Sequence, residues 1–158
     1  MPQVLISYFS KSGNTKKMAG VIKEGLESVK GIDVTLKEVS ATTLDDLLGS
    51  DGIIIGCPTY FGVMTAAVKD LMDKSIKHFG KLTGKVGGAF TSSGGIAGGN
   101  ETTILSILQG LLIHGMVIQG LSQGNYYGPV SIGAPDEKAQ DECVRYGKLI
   151  GQLTIKLS

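Results

Sequence analysis

A hydroxyl-rich loop near the start of the chain carries the clearest chemical signal in the sequence. It runs Ser10-Lys11-Ser12-Gly13-Asn14-Thr15 and separates the apolar run Val4-Leu5-Ile6 from a helical pattern at Thr15–Val29. The first backbone N–H groups of a helix have no partner inside the helix, and the helix dipole makes that end positive. Gly13 lets the backbone approach a ligand closely. The loop therefore favours a phosphate site, and a simple helix cap is the alternative interpretation.

The two common glycine-rich phosphate motifs are both missing from this loop. It has neither the G-x-x-x-x-G-K-[ST] pattern of nucleoside triphosphatases nor the G-x-G-x-x-G pattern of dinucleotide-binding folds. Short neutral donors suit one terminal phosphomonoester. The sequence therefore predicts a ligand that ends in a single phosphate.

Composition narrows the class of protein. The chain has 158 residues, which predicts one domain spanning 1–158, and its net charge of +1 argues against a nucleic-acid partner. Met1-Pro2-Gln3 leads directly into a strand, so we expect no signal peptide. The longest apolar region, Ile104 to Ile118, is too short and too polar to span a bilayer, so we expect no membrane insertion. Cys57 and Cys143 form no CxxC pair, which favours a reducing cytoplasm. No group of His, Cys and carboxylate residues has the spacing of a metal site.

Strand-like runs alternate with helical patterns along the chain, which predicts an α/β fold with a parallel sheet. The predicted strands are Val4–Tyr8, Asp33–Glu38, Ile53–Gly56, Lys85–Phe90 and Met116–Gly120. The predicted helices are Thr15–Val29, Thr43–Leu48, Val63–Phe79, Asn100–His114 and Asp136–Leu157. The first and third strands are almost wholly apolar and therefore central, whereas the second alternates and therefore lies at an edge. We expect five strands in the order 2-1-3-4-5.

In such a sheet a ligand binds at the carboxyl ends of the strands, near the switch point of the strand order. Two further loops should join the first one there. Pro58-Thr59-Tyr60-Phe61-Gly62 offers two aromatic rings that can pack on a planar heterocycle. Thr91-Ser92-Ser93-Gly94-Gly95, continued to Gly99, offers hydroxyls and accessible backbone N–H groups. The alternative interpretations are that Phe61 packs the following helix onto the sheet, and that the third loop is flexible and binds nothing.

The residues of these loops resemble those of a known family. Ser10–Thr15 is similar to the FMN phosphate loop of flavodoxins. Three later segments resemble the WrbA-type NAD(P)H:quinone oxidoreductases, and the similarity runs over nearly the whole chain. They are Pro58-Thr59-Tyr60-Phe61-Gly62, Gly98-Gly99-Asn100-Glu101-Thr102-Thr103 and His114-Gly115-Met116-Val117.

The resemblance implies a flavodoxin-like three-layer sandwich that binds FMN and uses NAD(P)H as co-substrate. The phosphate would be held within Ser10, Lys11, Ser12, Gly13, Asn14 and Thr15. The ring would be lined by Pro58, Thr59, Tyr60, Phe61, Gly62, Thr91, Ser92, Ser93, Gly94 and Gly95. His114 matches a histidine near the substrate face in that family, and capping the end of its own helix is the alternative role.

This chain departs from the family at two points, one that bears on the electron acceptor and one that bears on oligomer assembly. Tyr60 stands where the family usually has arginine, and the chain lacks an insertion before Tyr126 that helps build the family's tetramer. We still expect a homo-oligomer, either dimer or tetramer, and a small-molecule electron acceptor.

Two main functions remain open at this stage, with a flavin-binding regulatory or storage module as a third. The first is a two-electron oxidoreductase that passes electrons from NAD(P)H to a quinone-like acceptor. The second is a flavodoxin-type one-electron carrier, but such carriers resemble one another in a strong acidity that this chain lacks. The chain also has no Trp, and no aromatic residue lies between Phe90 and Tyr126. One ring face would therefore stay open unless Tyr126 and Tyr127 cover it.

Overall fold

Six parallel strands form the sheet at the centre of the computed structural model, which describes all residues from Met1 to Ser158. They are β1 (Gln3–Tyr8), β2 (Asp33–Glu38), β3 (Gly52–Pro58), β4 (Val86–Ser93), β5 (Val117–Ile118) and β6 (Val130–Ile132). The main path of the sheet runs β2-β1-β3-β4-β5, and β6 also pairs with β4. The predicted strand order and fold class are confirmed, and β2 lies at the edge as its alternating pattern indicates.

Five helices cover the two faces of the sheet. They are α1 (Asn14–Glu27), α2 (Leu44–Gly49), α3 (Ala66–Lys74), α4 (Asn100–Ile113) and α5 (Glu137–Leu157). α1 and α5 pack together on one face, where Gly25 and Gly147 leave room for the two backbones to touch. The other three helices cover the opposite face. None of the five combines the length and the apolar character that crossing a membrane requires.

The alternation of side chains along each strand divides the core into two layers. Val4 and Ile6 of β1 point towards α1 and α5, whereas Leu5 points towards α3 and α4. All three side chains are fully buried. Burial on both faces explains the uninterrupted apolar runs Val4–Ile6 in β1 and Ile53–Ile55 in β3.

Two elements differ from the sequence prediction. The predicted helix 63–79 is shorter, since α3 begins only at Ala66 and gives way to a 3-10 turn at Ser75–His78. Residues 63 and 64 belong instead to a turn, because Val63 pairs with Tyr60. The predicted fifth strand, 116–120, is shortened to β5, and β6 is a sixth strand that the sequence analysis did not predict; residues 119–129 between the two leave the sheet.

A tyrosine from α5 compensates for this gap in the sheet. β5 pairs with β4 only at Val86 and Gly87, and β6 pairs only from Thr91 onwards. Ala89 lies between these two regions, and its backbone N–H donates to the Tyr146 hydroxyl at 2.9 Å. Tyr146 is buried, and an unpaired buried N–H group is costly. The hydroxyl therefore takes the place of the missing strand.

Replacing Tyr146 by Phe should isolate this single hydrogen bond. The change leaves the Ala89 N–H buried without an acceptor, which costs about 1–3 kcal/mol. We expect Tyr146→Phe to lower the free energy of unfolding by that amount in urea. Tyr126→Phe is the matched control, because Tyr126 is largely exposed. Equal stabilities of the two variants would contradict the role of the Tyr146 hydroxyl.

Candidate functional site

The three predicted loops meet at the carboxyl edge of the sheet. The Thr15 hydroxyl at the start of α1 lies 2.8 Å from the Ser92 hydroxyl at the end of β4. The Thr59 hydroxyl lies 2.9 Å from that of Thr91, and the Thr59 N–H donates to the Ser92 carbonyl at 2.7 Å. Hydroxyl pairs therefore join β4 to the loops after β1 and β3.

The first loop presents unpaired donors at the positive end of α1. Gly13 precedes the helix with φ +98°, and nothing lies within 4 Å of the position where a Cβ would stand. The Ser10 hydroxyl oxygen already accepts the N–H groups of Gly13 and Lys16, each at 3.2 Å. The N–H groups of Asn14 and Thr15 have no acceptor in the chain. An anion can therefore reach several converging donors here.

The charges around this loop also favour an anion. The first turn of α1 has no acidic residue, whereas α2, α4 and α5 each begin with at least one. Lys16 and Lys17 occupy that first turn instead, and Lys11 precedes it. Cations at the start of a helix oppose its dipole, so this arrangement is unfavourable unless a negative group binds between them. The loop therefore fits a phosphate.

The second loop is a tight turn that leaves one aromatic ring fully exposed. The Val63 N–H donates to the Tyr60 carbonyl at 3.2 Å, and the two central residues have positive φ, +52° at Phe61 and +77° at Gly62. Glycine adopts this conformation freely, but a bulky residue in it costs about 1–3 kcal/mol. The Phe61 ring is fully exposed and gains no packing in return. A strained, exposed aromatic at this edge indicates a ligand-facing role.

The third loop offers unpaired backbone N–H groups to a ligand, whereas its buried side chains hold the neighbouring loops in place. The N–H groups of Gly94 and Gly95 have no acceptor in the chain. Thr91 and Ser92 are buried, and the Thr91 hydroxyl donates to the Cys57 carbonyl at 2.7 Å. The side chains of Thr91 and Ser92 therefore support the neighbouring loops. Similarly, the buried Thr15 hydroxyl is engaged by Ser92, which leaves the Thr15 backbone N–H as its available donor.

The structure also brings residues to the site that sequence reasoning missed. Phe9 packs edge-to-face against Tyr60, with ring centroids 6.4 Å apart. Gly99 contacts Gly62 so closely that a Cβ on Gly99 would lie 2.5 Å from the Gly62 Cα. The Ser106 hydroxyl on α4 accepts the Met64 N–H at 2.9 Å. Gly99 lies in the predicted third loop and in the Gly98–Thr103 segment, but neither pattern distinguishes it from the neighbouring glycines, and Ser106 had no signal in the sequence.

His114 lies away from the three loops. It follows the last residue of α4, and the 14 residues of that helix span about 20 Å from Asn100 at the site. Its side chain is buried, and Nε2 lies 2.7 Å from the Ser75 hydroxyl. Its backbone N–H caps the helix by donating to the Gly110 carbonyl. Contact between His114 and a substrate stays a prediction.

Cys57 at the base of the second loop is a packed residue. It is fully buried, and desolvation is the main reason that the pKa of its thiol is raised. A thiol that stays protonated is a poor nucleophile. The chemistry of this edge therefore does not include cysteine.

Relieving the strain at Phe61 should stabilise the protein. Asparagine tolerates positive φ better than phenylalanine, and the exposed ring contributes little packing. We expect Phe61→Asn to raise the free energy of unfolding by about 1 kcal/mol in urea, before any ligand is added. Ile96→Asn removes an equally exposed side chain from a residue without positive φ, and it should give no gain. A loss of stability in Phe61→Asn would show that the ring is packed.

His114 should make stability depend on pH. Burial, and to a smaller extent nearby His78, lower the pKa of His114 below its ordinary value of 6.5. Below that pH the unfolded chain binds a proton that the folded chain does not, so stability falls as the pH falls. We expect the free energy of unfolding to decrease from about pH 7.5 to about pH 5.5. Glutamine does not titrate, so His114→Gln should lose less stability over this pH range. An equal loss of stability in both proteins would contradict the assignment of the pH dependence to His114.

Known proteins share this sequence and this fold. Residues 41–125, just over half of the chain, match the family described as NADPH-dependent FMN reductase. A flavodoxin from Aquifex aeolicus is 37% identical, with 96% of this chain and 86% of that protein covered. An NAD(P)H dehydrogenase (quinone) from Archaeoglobus fulgidus is 32% identical, with 99% and 100% covered.

A solved structure agrees with these sequence matches. The structure of a flavodoxin, WrbA-like protein from Agrobacterium tumefaciens superposes with a TM-score of 0.85 and 26% identity over the full length of both chains. The predicted resemblance to flavodoxin-like, WrbA-type flavoproteins is therefore confirmed. The family description names FMN and NADPH, which confirms the predicted cofactor and co-substrate at the level of the family. The chain belongs to the NADPH-dependent FMN reductase family and has the flavodoxin-like fold.

Proposed function

We propose that this chain binds FMN and catalyses two-electron transfer from NAD(P)H to a quinone-like acceptor. The overall reaction takes NAD(P)H, a proton and the quinone to NAD(P)⁺ and the hydroquinone. Bound FMN supplies the chemistry, since it accepts a hydride from the nicotinamide and returns two electrons to the acceptor. The residues of the chain bind the cofactor, orient its ring and supply hydrogen bonds.

The first loop supports the binding step. Its unpaired N–H groups, the α1 dipole and Lys11, Lys16 and Lys17 together favour a doubly negative phosphate. Hydrogen bonds to a charged group contribute roughly 1.5–3 kcal/mol each. Nanomolar retention needs about 12 kcal/mol, so contacts to the ring must supply a large share.

The observation that carries the proposal is the fully exposed ring of Phe61 at the carboxyl edge of the sheet. Phe61 is displayed on the second loop, and the third loop contains no aromatic side chain to cover the opposite ring face. An uncovered face gives a nicotinamide or a quinone room to stack on the cofactor. The free N–H groups of Gly94 and Gly95 are donors for the negative charge that accumulates on reduction. Both features suit a small-molecule acceptor.

Surface chemistry also favours a small molecule over a basic protein partner. The chain has a net charge of +1, and three lysines surround the first loop. This positive potential attracts the anionic NAD(P)H and gives no steering towards a basic redox protein. Exposed Tyr126 and Tyr127 leave the sheet between β5 and β6 and are available to a second copy of the chain. A homo-oligomer stays a prediction.

A one-electron carrier is the second candidate, because the Aquifex aeolicus relative at 37% identity is named a flavodoxin. The two functions differ in their reductant and in the size of each electron step. A carrier takes electrons from a protein partner one at a time, whereas the proposed enzyme takes two from NAD(P)H. Anaerobic titration therefore separates them.

The test is to load the protein with FMN and add NADPH without oxygen. We expect rapid loss of flavin absorbance with one NADPH per FMN, and full recovery with one benzoquinone per FMN. A reductive titration should show one two-electron step. Absence of bleaching by NADPH and NADH, with two separate one-electron steps, would instead identify the carrier. Protein that stays colourless after FMN is added would end both proposals.

Ser12→Asp tests the assignment of the phosphate loop. A carboxylate about 4 Å from the phosphate costs several kcal/mol near a protein surface, which corresponds to at least about a hundredfold weaker FMN binding. Ser122→Asp adds the same charge at an exposed serine outside the three loops and should bind FMN normally. Quenching of FMN fluorescence measures both affinities. Equal affinities would mean that the phosphate binds elsewhere.

A further inference from the structure

The strained turn that displays Phe61 is held by another element. Phe61 has φ +52°, and its own ring makes no packing that stabilises this conformation. A strained backbone persists only where its surroundings determine it. The hydrogen bond from the Val63 N–H to the Tyr60 carbonyl closes the turn. Something outside the turn must fix its orientation.

The start of α4 contacts the residue that follows Phe61 in the chain. Gly62 and Gly99 touch backbone to backbone, and a Cβ on Gly99 would lie 2.5 Å from the Gly62 Cα. Gly99 itself has φ +102° and directly precedes α4. Only glycine satisfies both the close approach and this φ. The third loop therefore ends in a residue whose backbone supports the second loop.

Two hydroxyl groups extend this contact. The Ser106 hydroxyl accepts the Met64 N–H at 2.9 Å and donates to the Thr103 carbonyl at 2.7 Å. The Thr102 hydroxyl donates to the Gly99 carbonyl at 3.0 Å and would lie 3.3 Å from a Cβ on Gly62. The first two turns of α4 thus hold residues 62 and 64. Phe61 is left as the exposed tip of a fixed turn.

We infer that Gly99 and Ser106 are positioning residues that set the orientation of Phe61 against the FMN ring. This inference rests on the proposed function for its ligand, but the hold on the turn is a property of the chain alone. Residues 62–64 should therefore be rigid before FMN binds. Because a preformed turn spares the ordering cost of binding, losing the hold should weaken FMN affinity.

Hydrogen exchange of the protein without FMN tests the hold directly. Ser106→Ala removes the acceptor of the Met64 N–H, and a lost hydrogen bond of about 1 kcal/mol should speed exchange of that amide about fivefold. Ser28→Ala is the matched control, since the Ser28 hydroxyl makes the same 2.7 Å bond to the carbonyl three residues earlier but holds no loop. Unchanged exchange at Met64 in Ser106→Ala would overturn the inference.

FMN affinity and visible circular dichroism then test the effect on the ring. We expect Ser106→Ala to weaken FMN binding about fivefold and to alter the dichroism of the bound flavin, with little change in thermal stability. Ser106→Thr keeps the hydroxyl, and its extra methyl has space in the groove beside Met64 and Met72. We therefore expect this variant to match the unmodified protein in FMN affinity and in dichroism. Ser28→Ala should behave as the unmodified protein.

Gly99→Ala is the stronger perturbation and has its own control. It adds both a clash with Gly62 and strain at positive φ, and we expect at least about tenfold weaker binding. Gly84→Ala introduces alanine at a similar φ of +82° with no neighbour within 4 Å, so it isolates the strain. Equal FMN affinities of these two variants would contradict the role of the contact. If Gly99→Ala does not fold, the positioning role is judged from Ser106→Ala alone.

The two proposals fail in different ways. If the unmodified protein does not bind FMN, the proposed function is wrong, and the hold on the turn is judged from exchange at Met64. If it binds FMN and Ser106→Ala binds equally well with the same dichroism, the function stands and the positioning role is wrong.

Discussion

Unpaired backbone N–H groups at the first turn of α1 are the constraint on which the site depends. They exist because a helix begins directly after a central strand, and neither Gly13 nor an acidic residue satisfies them. The neighbouring lysines increase the positive potential at the same place. A parallel sheet then brings the loops after β3 and β4 to this edge, so in the proposed function the phosphate site sets where the rest of FMN lies.

Conformational strain and stability are distributed unevenly around this edge. The first loop is joined to β4 by the Thr15–Ser92 pair, and the second by the Thr59–Thr91 pair. The tip of the second loop is different, because Phe61 adopts a costly conformation and its ring is left in solvent. Such an arrangement is typical of sites where ligand contact, and not folding stability, determines the residue. α4 provides the support that the tip itself lacks.

The gap between β5 and β6 shows how the fold accommodates an interruption near the site. Residues 119–129 leave the sheet, and β4 loses a backbone partner at Ala89. Tyr146 of α5 replaces that partner from another layer of the fold, and Gly88 gives its hydroxyl room. The interrupting segment is held by Asn125, whose amide donates to the buried Glu142 carboxylate at 2.5 Å. The sheet is therefore complete without a continuous edge strand.

Local patterns in the sequence determined the class of fold, the strand order and the three loops. Apolar runs in β1 and β3 and the alternation in β2 follow from which strand faces are buried, and burial is encoded residue by residue. The loop Ser10–Thr15 is equally local, because a strand, a glycine and a helix start lie within a few residues. Only the tertiary structure decided that Thr91 and Ser92 are buried supports, that the His114 ring meets Ser75, and that Gly99 meets Gly62. These are contacts between residues far apart in sequence, and no local pattern of hydrophobicity or turn residues specifies which backbones will touch.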